Sequence, residues 1–267
     1  MPLLKPRAKV ELHFNEVADR KPIARCLSAV ERLPDGTLWL ASDESGYLER
    51  LQPTAEKQFG QHQRFLLNDF FALPGDSTSE MDIEGLSYAA PYLWIVGSHA
   101  RKFRSHNGVV DPRAKKIEFA SRRYLLARLP LVDGLPVKDA GNGLTAAMLK
   151  LTKTGNRLSD ALAEDDVLAP FLELPGKANG LDIEGIAVQN GRVLLGLRGP
   201  VLVDRAVVLE VELTESAKNP QRLKLQSYTK RWLKLDGLGI RDLAWQGDDL
   251  LVLGGPTMFH DGPTRLY

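Results

Sequence analysis

Short apolar runs, many of them alternating with polar residues, recur along this chain in sets separated by tight turns. Val10-Glu11-Leu12-His13-Phe14 has the period-2 alternation of a half-buried strand. Further strands are predicted at 27–33, 37–42, 47–51 and 65–73. The same rhythm restarts at 83–88, 92–97, 124–129 and 167–174, and again at 183–188, 193–197, 207–213 and 223–235. Asp35-Gly36 and Asn190-Gly191 supply hairpin turns between the first two strands of two of these sets. A last set, 240–245 and 250–253, is followed only by 264–267.

The sets are repeats. Asp82-Ile83-Glu84-Gly85-Leu86 returns a hundred positions later as Asp182-Ile183-Glu184-Gly185-Ile186, each after a Leu-Pro-Gly turn. Gly239-Ile240-Arg241-Asp242-Leu243 is a weaker copy, and Leu27-Ser28-Ala29-Val30 weaker still. Repetition of a four-strand sheet module predicts an all-β fold, a single β-propeller domain over 1–267. Four blades is the count, and five if a degenerate blade hides in 131–166. Since the last set lacks a fourth strand and an extra one precedes the first, 10–14 is expected to pair with 264–267 and close the ring. Both insertions fall in the second blade. Residues 99–123 form a basic loop, and 131–166 is expected to be helical, at 144–151 and 158–165, because it is rich in Ala, Leu, Lys and Glu.

The 35 basic and 34 acidic residues leave a net charge of +1, so no overall field argues for nucleic acid or a membrane. The single cysteine, Cys26, excludes an internal disulfide and favours a reducing compartment. No stretch has the length of an apolar membrane span or a signal core. A cytoplasmic location is the expectation.

Superposing the repeats places Ser28, Glu84, Glu184 and Arg241 at equivalent positions on the innermost strands, around one funnel. Two carboxylates facing a guanidinium can simply brace neighbouring blades, and the glycine can serve close strand approach. The chemical reading is a small anionic ligand held by Arg198, Arg241, Thr257, Arg101 and Lys102. Arg198 stands out, in Leu195-Gly196-Leu197-Arg198-Gly199-Pro200, as a fork suited to two oxygens. Glu84, Glu184 and Asp242 are the carboxyl candidates for catalysis, with His99 as proton relay. His260 is a second histidine near such acids. No zinc, nucleophile-elbow or phosphate-loop motif occurs. No cofactor is expected; a calcium- or magnesium-dependent variant would use Asp82, Glu84, Asp182 and Glu184.

The Asp-Ile-Glu-Gly repeats, Val96-Gly97-Ser98-His99, the Arg198 motif, Gly239-Ile240-Arg241-Asp242-Leu243 and Gly255-Pro256-Thr257-Met258 together resemble a bacterial family catalogued as domain of unknown function 3616, from about Ala24 onward. More distantly, the Glu-Gly inner strand is similar to that of phytase-like and esterase-like β-propellers. The resemblance implies a propeller fold and supplies no activity. The dense loop acids of calcium-dependent phytases are absent. Three functions follow as expectations: hydrolysis of a phosphoester, lactone or carboxylic ester; a non-enzymatic platform for a protein partner; or the metal-dependent variant of the same funnel.

Overall fold

The computed structural model describes residues 8–15, 22–76, 79–103, 105–106, 109–110, 117–258 and 261–267. Lys115 and Lys116 of the basic loop, and His260, lie outside them. The principal strands are β1 (Glu11–Leu12), β2 (Leu27–Arg32), β3 (Leu38–Ser42), β4 (Tyr47–Ala55), β5 (Gln58–Leu66), β6 (Ile83–Ala89), β7 (Tyr92–Gly97), β8 (Leu126–Val132), β9 (Ala147–Leu149), β10 (Asp182–Gln189), β11 (Arg192–Gly199), β12 (Arg205–Ser216), β13 (Asn219–Lys234), β14 (Gly239–Gln246), β15 (Asp249–Gly255) and β16 (Arg265–Leu266). Among the described residues two short α-helices interrupt them: Leu67–Phe70, directly after β5, where the strand expected over 65–73 ends at Leu66, and α1 (Arg157–Leu162).

Antiparallel hairpins run outward from an inner strand in each repeat, giving a β-propeller-like arrangement. The first sheet has the order β1-β5-β4-β3-β2, and the last β14-β15-β16. The second and third repeats share one nine-stranded sheet, because their outer strands β9 and β13 pair in parallel, Met148 opposite Arg222 and Leu149 opposite Leu223. Apolar clusters fill the wedges between consecutive repeats. Trp39, Leu48, Ile83, Leu93 and Ile95 pack between the first and second, Val96, Ile183, Leu195 and Leu209 between the second and third, and Leu194, Val208, Ile240 and Leu243 between the third and fourth. The glycine of the signature sets the spacing of these wedges. A Cβ on Gly85 would lie 2.8 Å from Ile186, and one on Gly185 3.0 Å from Leu243. The equivalent residue of the fourth repeat is Asp242, which carries a side chain where the others leave room.

A shared defect in the inner strands aims side chains into the funnel. Pairing slips by one residue between Leu27 and Ala29, Ile83 and Gly85, Ile183 and Gly185, and Ile240 and Asp242. The residue left over in each β-bulge is Ser28, Glu84, Glu184 or Arg241. A bulge bends its strand and redirects the side chain of the extra residue, so the four aligned positions turn toward the axis together.

Three expectations need correction. Val10 to Phe14 does not pair with 264–267: β1 runs parallel to β5 of its own repeat, Glu11 opposite Gln58 and Leu12 opposite Phe59, while β16 pairs with β15. Packing decides this, since Leu12 and Phe14 cover Phe59, Leu38 and Leu40 on the outer face of the first sheet. The proposed ring closure through the amino-terminal strand is therefore absent. Residues 144–151 are not helical either; Ala147–Leu149 fills the gap between β8 and β13, and sheet pairing overrides helix propensity. With that position occupied, 167–174 forms a turn and a short 3-10 segment rather than a strand.

The helix expected at 158–165 exists as α1, with Asn156 accepting hydrogen bonds from the Leu158 and Ser159 amides at 2.8 and 3.0 Å. Asp165 anchors the segment after it to β13. Its carboxylate accepts from Lys230 Nζ at 2.6 Å, Tyr228 Oη at 2.6 Å and the Leu168 amide at 3.0 Å. These donors hold its pKa well below the usual carboxylate range, against the upward push of burial. A lowered folded pKa contributes stability above the unfolded pKa that is lost as pH falls through the folded one. Asp165→Asn should cost roughly 1–2 kcal/mol near neutral pH, and urea melts should show the gap closing as pH drops below about 4.

Candidate functional site

The bulges open onto a cavity of about 870 Å³ at the end of the funnel where the inner strands begin. Its floor and walls carry Asp82, Glu84, Asp182, Glu184, Arg198 and Arg241, brought together from β6, β10, β11 and β14. Asp43 and Glu44 come from the loop after β3. Ser28 also lines it, with its hydroxyl 2.5 Å from the Ile83 carbonyl.

Most of these charges are already matched. Glu184 is gripped from two sides, by Arg198 Nη1 at 2.8 Å and Arg241 Nε at 2.6 Å. Arg198 Nη1 also lies 3.5 Å from Asp182, and all three of Arg198, Glu184 and Asp182 are buried. Burial pushes Asp182 and Glu184 up; Arg198 pulls both back, aided at Glu184 by Arg241. Arg198, expected to hold an anion, is thus engaged as a brace between two acids, and it lines both this cavity and a shallower one beside it. Arg241 is more accessible and links this cavity to the shallower one, beside Pro256 and Thr264.

Asp82 is held in an ion pair and hydrogen bond by Arg123, which also lies 3.6 Å from Glu80. Arg123 was not singled out from the sequence. It sits in the basic stretch read as a solvated loop, yet both it and Arg122 are buried. Arg122 donates to Asn68 Oδ1 at 2.9 Å and the Pro74 carbonyl at 3.0 Å. The signal was their position directly before the apolar run Tyr124-Leu125-Leu126, where a blade strand begins beside the funnel. Glu80 and Lys177 were likewise missed; both line the cavity.

Glu84 differs from its neighbours. Among the described residues its carboxyl makes no hydrogen bond and no ion pair, although it faces the cavity. Burial pushes its pKa well above the usual value, and Asp82, Glu184, Asp182 and Asp43 push it further in the same direction. Its protonated form is favoured well beyond that of an ordinary glutamate, and it sits at the centre of acids most of which have cationic partners. Asp242, raised to about 6 by burial, lies outside the cavity lining and accepts from the Leu243 amide at 2.8 Å.

The remaining expected residues separate. Arg101 and Lys102 do line the cavity at its rim, Arg101 paired with the exposed Glu173 at 2.6 Å and Lys102 with Glu80 at 2.7 Å. Thr257 is half-buried after β15 and does not line it. His99 is not a relay. Its Nε2 lies 2.7 Å from Asn156 Nδ2, which makes that nitrogen the acceptor, and Nδ1 then donates to the Gly97 carbonyl at 2.8 Å. Burial lowers its pKa to about 4, so the ring is neutral and structural. Among the described residues, no three His, Cys, Asp or Glu side chains form a group that could hold a metal ion.

A family model described as protein of unknown function (DUF3616) matches residues 26–267. The chain belongs to that family. None of the curated proteins compared with this family member matches it in sequence. Among solved structures it is similar to virginiamycin B lyase from Staphylococcus aureus, at 10% identity and a TM-score of 0.35, over 91% of this chain and 69% of the lyase. A catalytically inactive form of that lyase with quinupristin gives 10% and 0.31, over 91% and 84%. The extracellular domain of a one component system from B. thetaiotaomicron gives 11% and 0.28, over 90% and 33%. The more distant likeness to phytase-like and esterase-like propellers has no support in these comparisons. No helix of the described residues is long and apolar enough to cross a membrane.

Proposed function

We propose that the funnel of this DUF3616 protein is a small-molecule site, with an anionic group of the ligand at the rim beside Arg101 and Lys102 and its other end on Glu84. The observation that carries this reading is Glu84 itself. A carboxyl left without a partner in a roomy cavity, while neighbouring acids have been given guanidinium contacts, is costly unless a ligand uses it. A metabolite library screened by thermal shift tests the reading, because a ligand selective for the folded state raises apparent stability with occupancy. Hits should lose their effect in Glu84→Gln and in an Arg101→Ala/Lys102→Ala pair. Hits indifferent to both would move the site elsewhere on the surface.

Turnover at this site is a second reading, favoured by the raised pKa of Glu84. A carboxyl held protonated above its ordinary range can give a proton to a leaving oxygen, and Arg241, the most accessible guanidinium of the cavity, would stabilise negative charge developing beside it. The substrates would be phosphoesters, lactones or carboxylic esters, and the location cytoplasmic, in keeping with the single cysteine. Hydrolysis of any such compound that survives Glu84→Gln unchanged would remove this reading. Calcium or magnesium dependence belongs in the same assay, through chelator addition.

A further inference from the structure

Floor and rim of the funnel carry opposite chemistry. On the floor, the acids that act on Glu84 are Asp82 on the approach to its own strand, Asp182 and Glu184 on β10, and Asp43 from the loop after β3; Arg198 acts on it in the opposite sense, and Arg123 and Arg241 line the same cavity. Asp82 is already paired with Arg123, and Asp182 and Glu184 share Arg198. Those guanidinium groups are engaged with their own acids, and among the described residues none of them makes an ion pair with Glu84. Toward the opening the cavity is lined by the cations Arg101, Lys102 and Lys177 together with Glu44 and Glu80; Arg101 and Lys102 pair with Glu173 and Glu80, which are themselves partly or largely exposed.

A group arriving at Glu84 therefore meets a field set by acids in which one member lacks its counter-charge. A carboxylate or phosphate placed there adds a further negative charge beside Asp82, Asp182, Glu184 and Asp43, three of which already share the nearby guanidinium groups. A cation supplies the counter-charge that Glu84 lacks, and it lets Glu84 ionise. Near the rim the signs reverse, and exposed ion pairs such as Arg101–Glu173 are weak enough for a ligand anion to displace.

We infer that, within the small-molecule reading above, Glu84 receives an ammonium group of the ligand while the anionic end of the same molecule lies toward Arg101 and Lys102. The ligand class is a small zwitterion in which an amine and an acid are separated by a short chain. Binding favours the Glu84 carboxylate, paired with the ammonium, over the carboxylic acid, and a proton held there in the free protein leaves to solvent. A divalent cation is the competing occupant.

Isothermal titration with three probes of similar length tests the assignment: 4-aminobutyrate, butyrate and propylammonium. 4-Aminobutyrate should bind at least tenfold tighter than butyrate, and propylammonium should bind where butyrate does not. Affinity for both amines should strengthen by up to about tenfold per pH unit as pH rises toward the folded pKa of Glu84, because a proton is released. Glu84→Gln should abolish the preference for amines while its melting temperature shows the fold intact. Arg101→Ala/Lys102→Ala should weaken 4-aminobutyrate and leave propylammonium unchanged.

Butyrate binding as tightly as 4-aminobutyrate, or amine affinity that falls with rising pH, would overturn the inference and leave a funnel that binds anions. Calcium or magnesium chloride binding more tightly than either amine and displacing them would overturn it in favour of a metal site. Failure of all three probes counts against the ammonium assignment, and library hits sensitive to Glu84→Gln would then show that the small-molecule reading stands without it. If no library hit responds to Glu84→Gln either, both fall.

Discussion

Replacing Arg198 with methionine is expected to cost roughly 3–5 kcal/mol of folding stability at pH 8, the range for breaking a buried ion pair by removing one partner. Arg198 Nη1 is 2.8 Å from Glu184 and 3.5 Å from Asp182. Without it, Glu184 keeps only the half-exposed Arg241, and Asp182 is left buried beside another acid. Both carboxyls already have raised pKa values, from burial first, with Glu184 adding to the shift of Asp182 and Asp82 to that of Glu184. Loss of the guanidinium raises them further. A carboxyl whose folded pKa lies above its unfolded value costs nothing below the unfolded pKa, and the cost grows as pH rises toward the folded one. The penalty of Arg198→Met should therefore be largest at pH 8 and shrink toward pH 5. Arg198→Lys should fall between, since one ammonium cannot match a planar fork set between two carboxyls. Adding Glu184→Gln to Arg198→Met should recover part of the loss, and a double-mutant cycle measures that coupling. Additive single effects, or Arg198→Met within about 0.5 kcal/mol of the parent, would show that the brace contributes nothing.

Repetition is what made much of this fold legible. A bulge repeated in four inner strands keeps sequence alignment and spatial equivalence together, so aligning Leu27-Ser28, Ile83-Glu84, Ile183-Glu184 and Ile240-Arg241 found the four side chains that turn into the funnel. Hairpins with local turns were readable for the same reason, because their partners are neighbours in sequence. Pairings between distant strands were not. Ala147–Leu149 reads as helix in isolation and becomes a strand only because β8 and β13 leave a slot between them. The amino-terminal strand was read correctly as extended. Its partner was misplaced, because the apolar surface that captures it, Phe59 with Leu38 and Leu40, is assembled by two other strands.

Charge was the harder problem within the site. Composition cannot distinguish a solvated arginine from a buried one, and the difference decided the roles of Arg123 and Arg198. The glycines around Arg198 admit neighbouring chain: a Cβ on Gly199 would lie 2.5 Å from the Gly180 carbonyl oxygen, and one on Gly196 2.4 Å from Ile240. His99 stood next to a strand end that does reach the funnel, but its backbone, at φ +54°, turns the ring inward onto Asn156. Nothing in the residue pattern reported that turn.

Glu84→Gln should make the protein more stable, and increasingly so as pH rises. The unfolded chain ionises this carboxyl at an ordinary pKa near 4.5, whereas the folded chain holds it protonated to higher pH through burial and through Asp82, Glu184, Asp182 and Asp43. Folding must therefore take up a proton at any pH between the two values, and each pKa unit of separation costs about 1.4 kcal/mol. Glutamine keeps the shape and has no proton to take up. Below pH 4.5 the two proteins should melt together; above it the variant should pull ahead until the folded pKa is passed. The gain in Tm should be largest at pH 8, each 1 kcal/mol being worth about 2–4 °C in a chain of this size. A gain without loss of fold is what separates a residue kept for its ligand from one kept for structure. If Glu84→Gln instead lowers Tm at pH 8, or shifts it equally at every pH, the carboxyl has a structural partner, and the funnel loses the feature on which its function is argued.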